Sequence, residues 1–194
     1  MKSRKRGLLV VVSAASGAGK TTLCRRLVKK RKSLIFSISV TTRPPRPGEV
    51  DGREYFFVSD AAFKAMRSRG ELAEWAQVHD HLYGTPKRFL EEMRAKGKDV
   101  LLDIDVQGAL AVKRMYPEAV LIFIRTPRFA DLEKRLRSRS SETEAQIKRR
   151  LATARKELRL AHRYDYQVIN DRIPHALKQL EQILNSESLK KTKN

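Results

Sequence analysis

Nine consecutive residues, Ala14-Ala15-Ser16-Gly17-Ala18-Gly19-Lys20-Thr21-Thr22, have the types and order needed to hold a chain of phosphates. Glycines at 17 and 19 let backbone N–H groups close around phosphate oxygens, and a helix starting directly afterwards turns its positive end toward them. Lys20 has the reach for β- and γ-phosphates, and Thr21 offers a hydroxyl to Mg²⁺. Residues Ala15, Ser16, Gly17, Ala18, Gly19, Lys20, Thr21 and Thr22 are therefore the expected contacts to a nucleoside triphosphate. One letter departs from the usual pattern, which has glycine where Ala14 stands. A plain glycine-rich turn would leave Lys20 in water; the apolar run before the loop and the helical spacing of Leu23, Leu27 and Val28 after it favour the phosphate loop.

Two groups of arginines offer further anion chemistry. In Arg43-Pro44-Pro45-Arg46-Pro47-Gly48 the prolines favour polyproline II, with three residues per turn, so Arg43 and Arg46 should leave one side of a stiff ribbon as a fork for phosphate. Taken alone, a rigid docking segment with solvated arginines accounts for these residues equally well. Later, Arg135 and Arg139 are four residues apart and so neighbours on a helix face, where they repel unless an anion bridges them. A solvated basic helix is the competing account, and the upstream phosphate loop weighs against it.

Those side chains need rigid elements to aim them. Leu8–Ser13, Val100–Ile104 and Val120–Ile124 read as short strands buried on both faces, with Ser33–Val40 and Tyr166–Ile169 as weaker strands. Ile147, Leu151, Ala154 and Leu158 fall on one helix face, and Ser141 with Glu144 fits a capping box at its start. Strands alternating with helices predict an α/β domain on a parallel sheet. From about residue 39 to 85 prolines, glycines and aromatics break that rhythm and suggest an inserted subdomain.

Composition sets the outer limits. The chain has 194 residues, 41% of them hydrophobic, enough for a real core. One cysteine, Cys24, excludes an internal disulfide framework and reads as a small buried hydrophobe. The longest apolar run, Ala119–Ile124, stops at Arg125, far short of the ~20 residues of a membrane span. Basic Met1–Gly7 followed by Leu8–Val12 mimics a secretory signal, but the apolar stretch is too short, and a cytoplasmic protein is expected. The net charge of +20 favours anionic partners. Lys2, Arg4, Lys5, Arg6, Lys190, Lys191 and Lys193 read as solvated tails, and without an aromatic-basic RNA motif nucleic acid is not the expected partner. His79 and His81 alternate as on a strand face, without further ligands at metal spacing, and read as surface histidines.

Beyond the loop, Ser39 to Glu49 (Ser-Val-Thr-Thr-Arg-Pro-Pro-Arg-Pro-Gly-Glu), Asp51-Gly52, Tyr55-Phe56-Phe57, Glu74-Trp75, Tyr83-Gly84-Thr85 and Leu102 to Gly108 (Leu-Asp-Ile-Asp-Val-Gln-Gly) together resemble the guanylate kinase family, from about Leu8 to Asp171. The resemblance implies Mg²⁺-dependent transfer of the ATP γ-phosphoryl group to GMP, with dGMP as a further acceptor. It implies a P-loop-kinase fold: a parallel β-sheet core flanked by helices, an inserted mixed GMP-binding subdomain and a short helical lid. The expected division is core at residues 1–38, GMP-binding segment at 39–90, core at 91–130, lid at 131–150, and core with basic tail at 151–194.

The resemblance assigns Arg43, Arg46, Tyr55 and Tyr83 to the GMP phosphate and Ser39, Glu74, Thr85 and Asp105 to its base. Guanine's adjacent N1–H and N2–H suit a carboxylate acceptor, although Glu74 beside Trp75 on its own reads as a surface acid next to a core aromatic. It assigns Arg135, Arg139 and Arg150 to the migrating group, with Lys20 and Arg43 completing the positive charge. Asn170 matches a position near adenine, where an Asn-Asp turn is the competing account. Asp103 and Asp105 share a strand side by the two-residue period, which makes Asp103 the candidate to orient Mg²⁺ through water. Family members commonly have Gly-Asn-Tyr-Tyr-Gly where Asp80-His81-Leu82-Tyr83-Gly84 stands here; Tyr83 is kept, and the resemblance does not fix the shape of this loop. The expected substrates are ATP and GMP; the sequence leaves oligomeric state open, a homo-oligomer included.

Overall fold

The computed structural model describes residues 5–78, 80–138 and 143–193. In chain order its elements are β1 (Leu9–Ala14), α1 (Lys20–Lys30), β2 (Leu34–Phe36), β3 (Val40–Thr41), β4 (Phe56–Phe57), α2 (Asp60–Ser68), β5 (Leu72–Val78), β6 (His81–Pro86) and α3 (Lys87–Ala95). Then follow β7 (Asp99–Asp103), α4 (Val106–Met115), β8 (Val120–Arg125), α5 (Phe129–Arg137), α6 (Glu144–Arg159), a 3₁₀ turn (Ala161–Arg163), β9 (Tyr166–Ile169) and α7 (Ile173–Lys193). The chain divides into two compact units: Met1–Leu9, Ser33–Leu102 and Gln107–Ala119 form one; Val10–Lys32, Asp103–Val106 and Val120–Asn194 form the other.

In the second unit β1, β8 and β9 pair in parallel, with Val10 opposite Val120 and Ile122 opposite Tyr166. Val10, Val11 and Val12 are all fully buried, as a strand covered on both faces requires. Leu23, Cys24 and Leu27 place the inner face of α1 against this core. Ile147 and Ala154 of α6 are buried, with Leu151 and Leu158 half-buried on the same stripe. The cap of α6 is not the expected one: Thr143 accepts from Gln146 N–H and Gln146 returns the bond to Thr143 N–H, two residues later than the Ser141–Glu144 box. Ser141 itself lies outside the described residues.

The first unit holds the parallel pair β2–β7 and a four-stranded mixed sheet in the order β4-β3-β6-β5. The expected single strand Ser33–Val40 is thus two strands, β2 and β3, assigned to different sheets and parted by Ser37–Ser39. Val40, Phe63 and Leu72 form the buried core of the mixed sheet, with Val58, Met66 and Leu82 packed against it. Gly84 makes this packing feasible. A Cβ there would lie 2.9 Å from Leu72 Cδ1 and 3.2 Å from Phe63 Cζ. Ser59 caps α2 by accepting from Ala62 N–H, which fixes the helix that carries Phe63.

Candidate active site

The first unit carries one constellation. Side chains alternate across a strand, so with Gly84 and Val40 turned to the core, Tyr83, Thr85 and Thr41 occupy the opposite face. Glu74 pairs with Thr85 across the β5–β6 ladder and shares that face. The Thr85 hydroxyl donates to Glu74 Oε1 at 2.5 Å, and both residues are buried. This inverts the local reading of Glu74-Trp75: the acid is 7% exposed and the tryptophan 39%. Arg67 stacks on the partly exposed Trp75 ring at 3.9 Å, which accounts for an aromatic at that position.

Two residues along β6 from Thr85, Tyr83 meets Arg43, whose Nε donates to the phenol oxygen at 3.2 Å. Tyr55 joins them, 5.8 Å from the Tyr83 ring and 5.5 Å from the Arg43 guanidinium carbon. Arg43 is only 8% exposed, whereas Arg46 is exposed, so the two are not an equivalent fork. A turn at Pro47-Gly48, with Gly48 at φ 85°, ends the ribbon, and Glu49 folds back. Arg43 Nη2 donates to both Glu49 oxygens at 2.9 Å, while Arg46 contributes its backbone N–H at 2.8 Å. The Arg46 N–H, followed by the Arg43 guanidinium, holds the Glu49 carboxyl below its ordinary range. Glu49 was not a sequence candidate; a lone acid following two arginines across a Pro-Gly turn was the available signal. Ser39 is half-buried directly before β3, its carbonyl accepting from Phe56 N–H.

The second unit carries the phosphate loop as spelled by the sequence, between β1 and α1. Gly17 and Gly19 take φ 93° and 89°, and Gly19 caps α1 without a side-chain bond, so the first N–H groups of the helix face the loop. Residues Ala14 to Thr22 with Asp105, Arg150 and Glu157 line a hollow of about 290 Å³. Lys20 Nζ sits 2.6 Å from Asp103 Oδ1 and donates to the Ile104 carbonyl at 2.9 Å. Asp103 ends β7 and Asp105 lies beyond the strand, so the two-residue period does not relate them. Arg150 Nε donates to Ser16 Oγ at 3.1 Å, and Ser16 N–H donates to Glu157 Oε2 at 2.8 Å. Burial raises the Glu157 carboxyl pKa, against the Ser16 N–H and Lys20. Glu157 was also missed; its signal was a position two helical turns after Arg150.

Arg135 donates to the Asn170 carbonyl at 2.7 Å. Asn170 is buried and its amide donates to the Ala18 carbonyl at 2.7 Å, bracing the loop from behind. Beside it Pro127, Asp131, Lys134, Arg135, Ser138 and Asp171 line a second hollow of about 430 Å³. Arg139 and His79 lie outside the described residues. Cys24 is buried, its thiol pKa raised first by desolvation. Among the described residues no cluster of three metal-binding side chains occurs, and no helix is long and apolar enough to cross a membrane.

A parallel α/β core with a glycine loop between a strand and a helix N-terminus defines a P-loop phosphate-binding protein. The family model for guanylate kinase matches residues 6–187. The guanylate kinase of Caldanaerobacter subterraneus subsp. tengcongensis is 46% identical over 194 residues, covering 100% of this chain and 94% of that protein. That of Thermotoga maritima is 44% identical over 189 residues, 97% and 91% of the two chains. The crystal structure of guanylate kinase from Anaplasma phagocytophilum superposes with a TM-score of 0.78 at 33% identity, over 95% of this chain and 87% of that one. The chain belongs to the guanylate kinase family.

Proposed function

We propose that this chain transfers the γ-phosphoryl group of ATP to GMP or dGMP, giving ADP and GDP or dGDP. The observation that carries this reading is the single sheet face bearing Arg43-Tyr83 at one point and Glu74-Thr85 two residues further on. That spacing is about 7 Å at strand rise. A buried carboxylate accepts guanine N1–H and N2–H as a pair, while adenine N1 would confront it with an acceptor. Arg43, Arg46, Tyr55 and Tyr83 would hold the GMP phosphate, with Ser39, Thr85 and Asp105 contributing to the base site. GMP phosphate would displace Glu49 from Arg43.

Residues Ala15 to Thr22 would cradle the ATP phosphates, and the hollow beside Asp171 suits its base. Asn170 would act through the loop carbonyl that it braces. The donor set fits Mg²⁺, a hard cation that keeps its waters: the Thr21 hydroxyl and, through water, Asp103 would hold it beside the triphosphate. When bound, it would neutralise β- and γ-oxygens. Lys20, Arg43, Arg135, Arg139 and Arg150 would supply the remaining positive charge. An oxygen of the GMP phosphate attacks the γ-phosphorus, the bridging bond to the β-phosphate breaks, and its electrons leave with ADP. With a second phosphate pKa near ~6, GMP is largely dianionic at neutral pH, so alignment and charge cancellation suffice without a general base. Residues 39–90 form the GMP-binding segment in this reading and 131–150 the lid. A binding-only scaffold would have little use for the Lys20–Asp103 pair and intact Thr21.

The test is ADP release from ATP with GMP, dGMP, AMP, UMP, CMP or dTMP as acceptor. Turnover confined to the guanine nucleotides is expected; equal turnover with AMP would overturn the base assignment.

A further inference from the structure

We propose that Glu157 is a positioning residue for phosphoryl transfer: its carboxylate fixes the Ser16 end of the phosphate loop, and through Ser16 sets where Arg150 rests. This rests on the loop being the ATP site. Residues 150 and 157 are two turns apart on α6, so their side chains leave one face of the helix. Ser16 is gripped by both. Its N–H donates to Glu157 Oε2 at 2.8 Å, and its hydroxyl accepts from Arg150 Nε at 3.1 Å.

A loop of this kind ordinarily aims its N–H groups at phosphate. Here a protein carboxylate holds the one at Ser16, inside the same hollow that Lys20 and Asp105 line. Lys20 and Arg150 attract that carboxylate, Asp105 repels it, and the Tyr164 ring stands near it. Keeping an acid in a phosphate hollow is unfavourable for polyphosphate unless the acid holds the hollow in shape. The hydrogen bond is the working part, because its acceptor fixes the strand end of the loop while the glycines remain free to wrap phosphate. Arg150 can then leave Ser16 for the migrating group without the loop shifting.

The experiment uses the full chain with ATP and GMP varied separately, plus ADP binding by calorimetry. Glu157→Ala is expected to lower kcat about tenfold and ADP affinity several-fold, leaving KM for GMP within about twofold. Glu157→Gln keeps an acceptor oxygen and should return kcat to within about threefold of wild type. An Ala variant within twofold in both kcat and ADP affinity, or a Gln variant no better than Ala, overturns the proposal. If the Ala variant does not fold, Ser16→Ala decides: it keeps the N–H bond but removes the hydroxyl that accepts from Arg150. Lowered kcat at unchanged ADP affinity supports the proposal, and unchanged kcat overturns it. Failure of wild-type protein to phosphorylate GMP would sink the functional reading, whereas ADP affinities would still judge Glu157.

Discussion

Glu74 and Thr85 face each other across an antiparallel ladder, the hydroxyl donating to the carboxylate at 2.5 Å where both are buried. A carboxylate taken from water needs such a partner. Glu74→Gln replaces an acceptor edge with a mixed one. It should lower kcat/KM for GMP about 100-fold while leaving ATP hydrolysis in the absence of GMP unchanged. Competition between GMP and AMP measures this directly; an unaltered preference removes Glu74 from the base site.

Lys20→Ala deletes the ammonium that reaches from the loop and leaves Asp103 without its 2.6 Å partner. Turnover should fall on the order of 10²–10³-fold. Circular dichroism should match wild type, since the residue is not part of the apolar core. Wild-type turnover in this variant would discard the loop as the ATP site.

Gly19 is held at φ 89°, and a Cβ there would stand 2.7 Å from Asn170 Nδ2. Gly19→Ala therefore meets backbone strain and a collision together, costing about 1–3 kcal/mol. A lowered urea midpoint accompanied by weakened ADP binding is expected. Displacement of Asn170 would also release the Ala18 carbonyl, so the two losses should appear together.

The Glu157 carboxyl has a folded-state pKa raised chiefly by burial. The unfolded chain therefore ionises first as pH rises, and stability present below the unfolded value is lost as pH climbs through the folded one. Glu157→Gln lacks this titration. Its thermal midpoint should gain on wild type as pH rises above about 4, the ordinary glutamate range. A difference that stays constant as pH rises would contradict the upward shift.

How far the sequence reaches depends on which physics decides each position. The phosphate loop was legible because strand, glycines, lysine and helix are consecutive in the chain, and β1 and β8 because buried parallel strands are apolar almost throughout. Glu74 beside Trp75 was misjudged locally because strand face is set by register with β6, which one strand's sequence does not contain. The strand expected at Ser33–Val40 failed for a similar reason, since partners β7 and β6 belong to different sheets. Glu49 and Glu157 escaped notice because an acid that serves a basic site looks, along the chain, like any surface acid. The cap shifted to Thr143 because several Ser and Thr residues precede α6, and geometry chose among them.

Lys20 rests against Asp103 and the Ile104 carbonyl. Its side chain is only 23% exposed, so a reagent must displace Asp103 to approach the nitrogen. Acylating labels applied to the unliganded protein should accordingly mark the many exposed lysines first and reach this one last, so that labelling order becomes a readout of whether the ion pair is intact.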